Sequence, residues 1–284
     1  MPKHELTLAP TNENERTITL DIRWNAETAS SLPLLIFVHG FKGFKDWGTF
    51  SAVADYFANQ DFAFLKLNLS HNGTTADNLT EFADLEAFGN NNFDIELRDI
   101  ARVLDALPAL DLPVDTEKIG LLGHSRGGSV ALLKAYEDER IRAVATWAAV
   151  SDLVERYAPK DKREAWEKAG VDYILNGRTG QQMPLYFQLY EDTRRHAERY
   201  DVAQAVKNLQ KPLLVAHGTE DPAVPFSEGE QIRDWHSDPV WVPVAGTDHV
   251  FGGKHPFNDN VLPEALATVC EQTAAFFRKS LVIP

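Results

Sequence analysis

The chain has 284 residues, 44% hydrophobic and 25% charged, enough apolar material for one large core or two small ones. A net charge of −14 argues against nucleic acid or an anionic membrane as partner, because both are bound through a basic face. The single cysteine, Cys270, excludes an internal disulfide, no apolar stretch approaches membrane-spanning length, and Met-Pro-Lys-His-Glu-Leu at the N-terminus lacks a leader's apolar core; a soluble protein of the reducing cytoplasm is expected.

In chain order, Arg16–Trp24 alternates polar and apolar residues, the pattern of an antiparallel edge strand with one wet face. The continuous apolar run 34–38 predicts a strand buried on both faces, ending at His39-Gly40. Helical spacing follows over 50–59, then a strand over 62–69, a helix over 92–107 and a strand over 118–123. A helix over 125–138 and a strand over 143–149 come next. After a long interval, a strand at 212–216, a helix at 227–235, a strand at 240–244 and a helix at 262–280 complete the chain. Alternating strands and helices predict an α/β fold with a mostly parallel sheet covered on both faces.

The interval between Ala149 and Pro212 is far longer than a crossover needs. It is rich in charge (Lys160-Asp-Lys-Arg-Glu164, Arg194, Arg195) and in aromatics: Tyr157, Trp166, Tyr173, Tyr186, Phe187, Tyr190 and Tyr200. Leu185, Tyr186, Leu189 and Tyr190 recur on one helical face. Residues 151–200 are therefore expected to form a helical cap inserted into a single core of residues 1–150 and 201–284. Its aromatics would join the cap to the body, and some would line a pocket.

Gly123-His124-Ser125-Arg126-Gly127 lies between a strand and a helix, the setting in which G-x-S-x-G exposes a nucleophilic serine on a strained turn. A serine hydroxyl needs a base, and the base an orienting acid. Of the histidines after Ser125 (His196, His217, His236, His249 and His255), His249 lies in a loop at the carboxyl edge of the sheet, where open α/β sheets build their sites. For the acid, Asp221 follows a strand in a loop stiffened by Pro222 and Pro225. Asp152, after the preceding strand, is the second choice. Asp248 adjoins His249 and points the other way on an extended stretch.

An oxyanion needs two fixed donors. The backbone N–H of Arg126 opens a helix, and that of Phe41 lies in the glycine-bracketed turn His39-Gly40-Phe41-Lys42-Gly43. The side chains of His39, His124 and Arg126 are read as structural, although Arg126 offers a charge to an acidic substrate. Ser70-His71-Asn72-Gly73 leaves a strand at the same edge and is a weak candidate for the pocket rim. This chemistry calls for no metal and no cofactor.

His39-Gly-Phe-x-Gly43, Gly123-His-Ser-Arg-Gly127, His217-Gly-Thr-Glu-Asp221 and Gly246-Thr-Asp-His249 resemble the α/β-hydrolase superfamily over nearly the whole chain. Within it the chain is similar to bacterial cinnamoyl and feruloyl esterases, and to dienelactone-hydrolase-like and prolyl-oligopeptidase-like members. A dienelactone hydrolase ordinarily carries cysteine where this chain has Ser125. The resemblance implies the triad Ser125, Asp221 and His249, with Phe41 and Arg126 as oxyanion donors. It also implies a cap inserted after the sixth core strand. The function expected is hydrolysis of a small-molecule carboxylic ester through an acyl-enzyme. Peptide or amide hydrolysis on the same triad, or ligand binding on a retained hydrolase fold, are the alternatives.

Overall fold

The continuous apolar runs become the middle of an eight-stranded sheet. The structure, a computed structural model, describes residues 3–13, 15–27, 31–259 and 261–281; residues 1, 2 and 282–284, included in the core expected from the sequence, lie outside that description. The strands are β1 (Lys3–Leu8), β2 (Ile18–Arg23), β3 (Leu32–Val38), β4 (Ala63–Asn68), β5 (Val114–His124), β6 (Ile141–Trp147), β7 (Val171–Leu175), β8 (Gln182–Tyr186), β9 (Leu213–Gly218) and β10 (Val240–Val244). The large sheet runs β1-β2-β4-β3-β5-β6-β9-β10, and β7 and β8 pair apart from it. Only β1/β2 and β2/β4 are antiparallel within it; every later pairing is parallel.

The helices are α1 (Phe50–Ala58), α2 (Leu85–Gly89), α3 (Phe93–Ala106), α4 (Arg126–Glu137), α5 (Leu153–Tyr157), α6 (Arg163–Ala169), α7 (Phe187–Arg195), α8 (Val202–Lys207), α9 (Phe226–Trp235) and α10 (Glu264–Leu281). Residue alternation along β3 feeds two cores. Leu34, Ile36 and Val38 join the layer beneath α3, α4, α8 and α9, while Leu35 and Phe37 join the layer beneath α1 and α10. Each such side chain contributes about 1.5–3 kcal/mol when fully buried. Cys270 is buried in α10, where burial pushes its thiol pKa up. Among the described residues no helix is long and apolar enough to cross a membrane.

Some elements depart from expectation. β1 pairs with β2, yet Lys3–Leu8 is mostly exposed, so no buried face marks it in the sequence. Residues 151–200 carry an antiparallel hairpin, β7/β8, besides helices α5, α6 and α7. Leu185 and Tyr186 close β8, and the helix starts only at Phe187. The helical spacing of Leu185, Tyr186, Leu189 and Tyr190 thus spans a strand–helix junction. Leu185, Leu189 and Tyr190 still form one cluster with Trp166, whose Nε1–H donates to the Leu185 carbonyl at 2.8 Å.

The chain between β3 and α1 is anchored by buried charge. Lys45 Nζ donates to Asp21 Oδ2 at 2.8 Å and Lys66 Nζ to Asp46 Oδ1 at 2.6 Å. Burial would raise the Asp46 carboxyl pKa, but the Lys66 and Lys45 ammoniums hold it well below the usual carboxylate range. Asn68 Oδ1 accepts from the Lys45 N–H at 2.7 Å, completing the attachment to β4.

Candidate active site

β5 ends at His124, and α4 begins at Arg126. Ser125 between them has φ 56° and ψ −128°, a left-handed conformation that costs a non-glycine residue roughly 1–3 kcal/mol. Its N–H donates to the Trp147 carbonyl at 2.8 Å, and its own carbonyl accepts from Gly128 N–H at 2.9 Å. The flanking glycines answer to space. A Cβ on Gly123 would sit 2.2 Å from the Gly127 carbonyl oxygen, and one on Gly127 2.4 Å from the carbonyl oxygens of Val38 and His39. That close approach brings the β3 loop against the serine. A Cβ added to Gly40 would lie 2.8 Å from Ser125 Cβ and 3.3 Å from its Oγ.

The loops after β9 and β10 bring an acid and an imidazole together. His249 Nδ1 lies 2.7 Å from Asp221 Oδ2. A carboxylate only accepts here, so the proton belongs on Nδ1, leaving the Nε2 lone pair free to act as a base. Asp221 Oδ1 accepts from the N–H groups of Ala223 and Val224 at 2.7 and 2.8 Å. Burial works to raise the Asp221 pKa. Hydrogen bonds from His217 and His249, the His249 charge and the Val224 N–H outweigh it and hold the carboxyl well below its ordinary range.

The other candidates lie elsewhere. Asp152 caps α5 by accepting from Glu155 N–H at 2.9 Å. Asp248 Oδ1 accepts from Val250 and Gly252 N–H groups within its own turn. His196 pairs with Asp192 on α7, His236 approaches the Lys211 carbonyl, and His255 accepts from Gly48 N–H. Residues 70–73 line neither cavity that contains Ser125. Asn72 instead supports the β3 loop from behind, donating from Nδ2 to the Gly43 carbonyl at 3.2 Å.

His217, near the end of β9, is a further partner of Asp221 that its place at a strand terminus does not announce. It is fully buried, and its Nε2–H donates to the Val224 carbonyl at 3.0 Å while lying 3.4 Å from Asp221 Oδ2. A buried histidine four residues before an acid is the signal that could have found it.

Among the described residues neither the Phe41 nor the Arg126 backbone N–H has an acceptor in the protein. His39 steadies the turn between them, its Nδ1–H donating to the Gly40 carbonyl at 2.9 Å and its Nε2 accepting from Leu69 N–H at 3.3 Å. The Arg126 side chain corrects one expectation. It is buried, its Nη2 donates to Glu96 Oε1 at 2.5 Å, and its guanidinium carbon lies 4.7–5.1 Å from the ring centres of Phe93, Tyr157 and Phe41. A guanidinium so enclosed cannot meet an acidic substrate. It instead ties the Phe41 loop to the start of α4.

Ser125 and His249 line two cavities. The larger, roughly 560 Å³, is walled by Tyr157, Trp166, Tyr173, Ile174 and Leu185 from residues 151–200. The smaller, roughly 210 Å³, is walled by Trp47, Phe50, His124, Asn176, Arg178 and Val250. Tyr186, Tyr190 and Tyr200 line neither: Tyr186 packs on Gly89, Tyr190 on Trp166, and Tyr200 on Phe93.

A family model described as the prolyl oligopeptidase family matches residues 48–235. The chain belongs to the prolyl oligopeptidase family. This family sits within the α/β-hydrolase superfamily, and its members are hydrolases. Two Bacillus subtilis relatives are similar to it. The uncharacterized peptidase YuxL is 23% identical over 145 residues, 51% of this chain, which spans only about a fifth (19%) of that relative's length. YitV, provisionally described as an esterase, is 25% identical over 72% of this chain and 74% of its own. Among solved structures, Est1E from Butyrivibrio proteoclasticus with ferulic acid bound superposes with a TM-score of 0.70 at 20% identity, covering 93% of this chain and 95% of that one. Such a likeness shows the shared fold of this family member.

His124 makes the site sensitive to acid. Its Nε2–H donates to the His249 carbonyl at 2.9 Å with the two rings 4.7 Å apart, and burial first, then the neighbouring His249, push its pKa down to about 3. The unfolded chain accepts a proton near pH 6.5 that the folded chain refuses, so stability falls as pH drops from about 6.5 towards 3. At pH 5 this amounts to on the order of 2 kcal/mol. His124→Gln keeps a donor without the titration, so urea unfolding at pH 7 and 5 should show a shallower loss. An unchanged pH slope would remove His124 as the cause.

Proposed function

We propose that this hydrolase cleaves carboxylic esters of small or medium acyl groups, with Ser125 as nucleophile, His249 as base, Asp221 as orienting acid and the N–H groups of Phe41 and Arg126 as oxyanion donors. One observation carries the reading. A strained serine opens onto the same two cavities as an imidazole whose Nδ1 lies 2.7 Å from a buried carboxylate. Ser125 Oγ attacks the ester carbonyl carbon as its proton passes to His249 Nε2, and the tetrahedral oxyanion takes hydrogen bonds from the two backbone donors. Collapse breaks the ester C–O bond, and His249 returns the proton to the departing alcohol. Water, deprotonated by the same Nε2, then releases the acid and restores Ser125. Residues 151–200 act as the cap, since Tyr157, Trp166 and Tyr173 wall the larger compartment. The two unequal compartments, both lined by Ser125, suit an acyl group and an alcohol.

The family match and YuxL favour a second reading, peptide or amide hydrolysis. Esters are preferred because compartments of roughly 560 and 210 Å³ suit small molecules, and because YitV, described as an esterase, points the same way. A panel of 4-nitrophenyl esters graded by acyl length, with methyl ferulate and an aminoacyl anilide alongside, tests this. Turnover of the short esters with little anilide cleavage is expected. Anilide cleavage at a comparable kcat/KM would favour the amidase, and no turnover together with no fluorophosphonate labelling would leave only a binding protein.

A further inference from the structure

The walls of the two compartments invert the charge of the chain. Asp and Glu outnumber Lys and Arg by 42 to 28 overall, yet the linings hold Lys42, Arg156, Lys162 and Arg178 against the single carboxylate Asp172. Three of those cations are neutralised within the fold. Arg156 pairs with Glu228 at 3.2 Å, Lys162 with Asp172 at 3.3 Å and Arg178 with Glu81 at 3.3 Å. Among the described residues Lys42 has no carboxylate partner; its Nζ donates only to the Leu175 carbonyl, at 3.2 Å. An ammonium has three donors, so two remain. Burial with no compensating carboxylate lowers its pKa from the ordinary lysine value.

Its backbone is unusual too. Gly43 N–H donates to the Gly40 carbonyl at 3.0 Å, closing a turn in which Lys42 occupies the third position at φ 56°. Glycine is favoured there, and an L side chain is strained. The turn is also the one that carries the Phe41 N–H, and Lys42 lines both compartments. Lys42 Nζ also lies 5.9 Å from the ring centre of Phe41, but a partly desolvated cation with no carboxylate partner, lining the same compartments as Ser125, gains most when an anion arrives.

We infer that the natural ester bears a carboxylate, and that Lys42 binds it and sets this specificity. The inference rests on the ester-hydrolase reading above. A carboxylate on the acyl side and one on the alcohol side offer the same chemistry to Nζ, so two substrate pairs separate them: monomethyl against dimethyl terephthalate, and 4-acetoxybenzoate against its methyl ester.

The readout is the ratio of kcat/KM for the charged over the neutral member of each pair. Wild type should favour the charged member in at least one pair. Lys42→Met should lower that ratio about ten-fold, as expected for losing a hydrogen bond to a charged group, and Lys42→Arg should retain most of it. The pair that responds identifies which side carries the anion. A ratio unchanged in Lys42→Met for both pairs would overturn the assignment, as would a wild-type preference for the neutral member in both. Fluorophosphonate labelling of wild type keeps the two readings apart. A labelled enzyme indifferent to charge loses only the role of Lys42, whereas an unlabelled one loses the serine mechanism as well.

Discussion

Replacing Ser125 by alanine is expected to lower ester turnover on the order of 10⁶-fold and to abolish fluorophosphonate labelling. Alanine keeps the Cβ and the backbone, so the φ of 56° and the hydrogen bond to the Trp147 carbonyl are unaffected. The variant should unfold at nearly the same urea concentration as wild type. On the proposed mechanism, residual activity of about 10³-fold over water would remain, because the Phe41 and Arg126 donors would still polarise a bound carbonyl. Turnover or labelling persisting near wild-type levels in a folded variant would take Ser125 out of the reaction.

Asp221→Asn is expected to lower kcat about 10⁴-fold with little change in KM. The surroundings dictate how an amide would sit there. Oδ1 faces two N–H donors, from Ala223 and Val224, so the asparagine carbonyl must take that side and its NH₂ must face His249. The imidazole can then accept only at Nδ1, which forces its proton onto Nε2 and leaves no lone pair towards Ser125. The variant should lose stability as well. The depressed pKa of Asp221 means that its stabilising contribution is present above the unfolded carboxyl value near 4 and fades as pH falls below it. Asparagine should remove that acid-sensitive part of the unfolding profile. A loss of kcat smaller than ten-fold would show that another group orients His249.

The parts of this protein legible in its sequence are those where a local pattern coincides with burial. The strands at 34–38 and 119–123 read directly because both their faces are covered, leaving unbroken apolar runs. Ser125 and Asp221 stand out because each follows such a strand, His249 because it follows the edge strand β10, and the sheet topology gathers those turns at one edge. What stayed hidden depends on partners distant in the chain. β1 is short and mostly exposed, and the β7/β8 hairpin is short and mostly part-buried or exposed, so only pairing defines them. The Arg126 enclosure needs Phe41, Phe93, Glu96 and Tyr157 to converge, and no spacing within one segment announces that. His217 is read as a strand terminus until Asp221 folds back against it.

The guanidinium of Arg126 lies 5.1 Å from the ring centre of Phe41 and 4.8 Å from that of Tyr157, two rings that meet edge to face. On the proposed mechanism, one of these residues belongs to the turn that would meet the developing negative charge, and the other walls the larger chamber. Choice of substrate and speed of reaction are therefore mechanically joined at a single side chain. On that mechanism, redesigning that wall to admit a bulkier guest would also disturb the anion cradle, coupling scope to rate at this position.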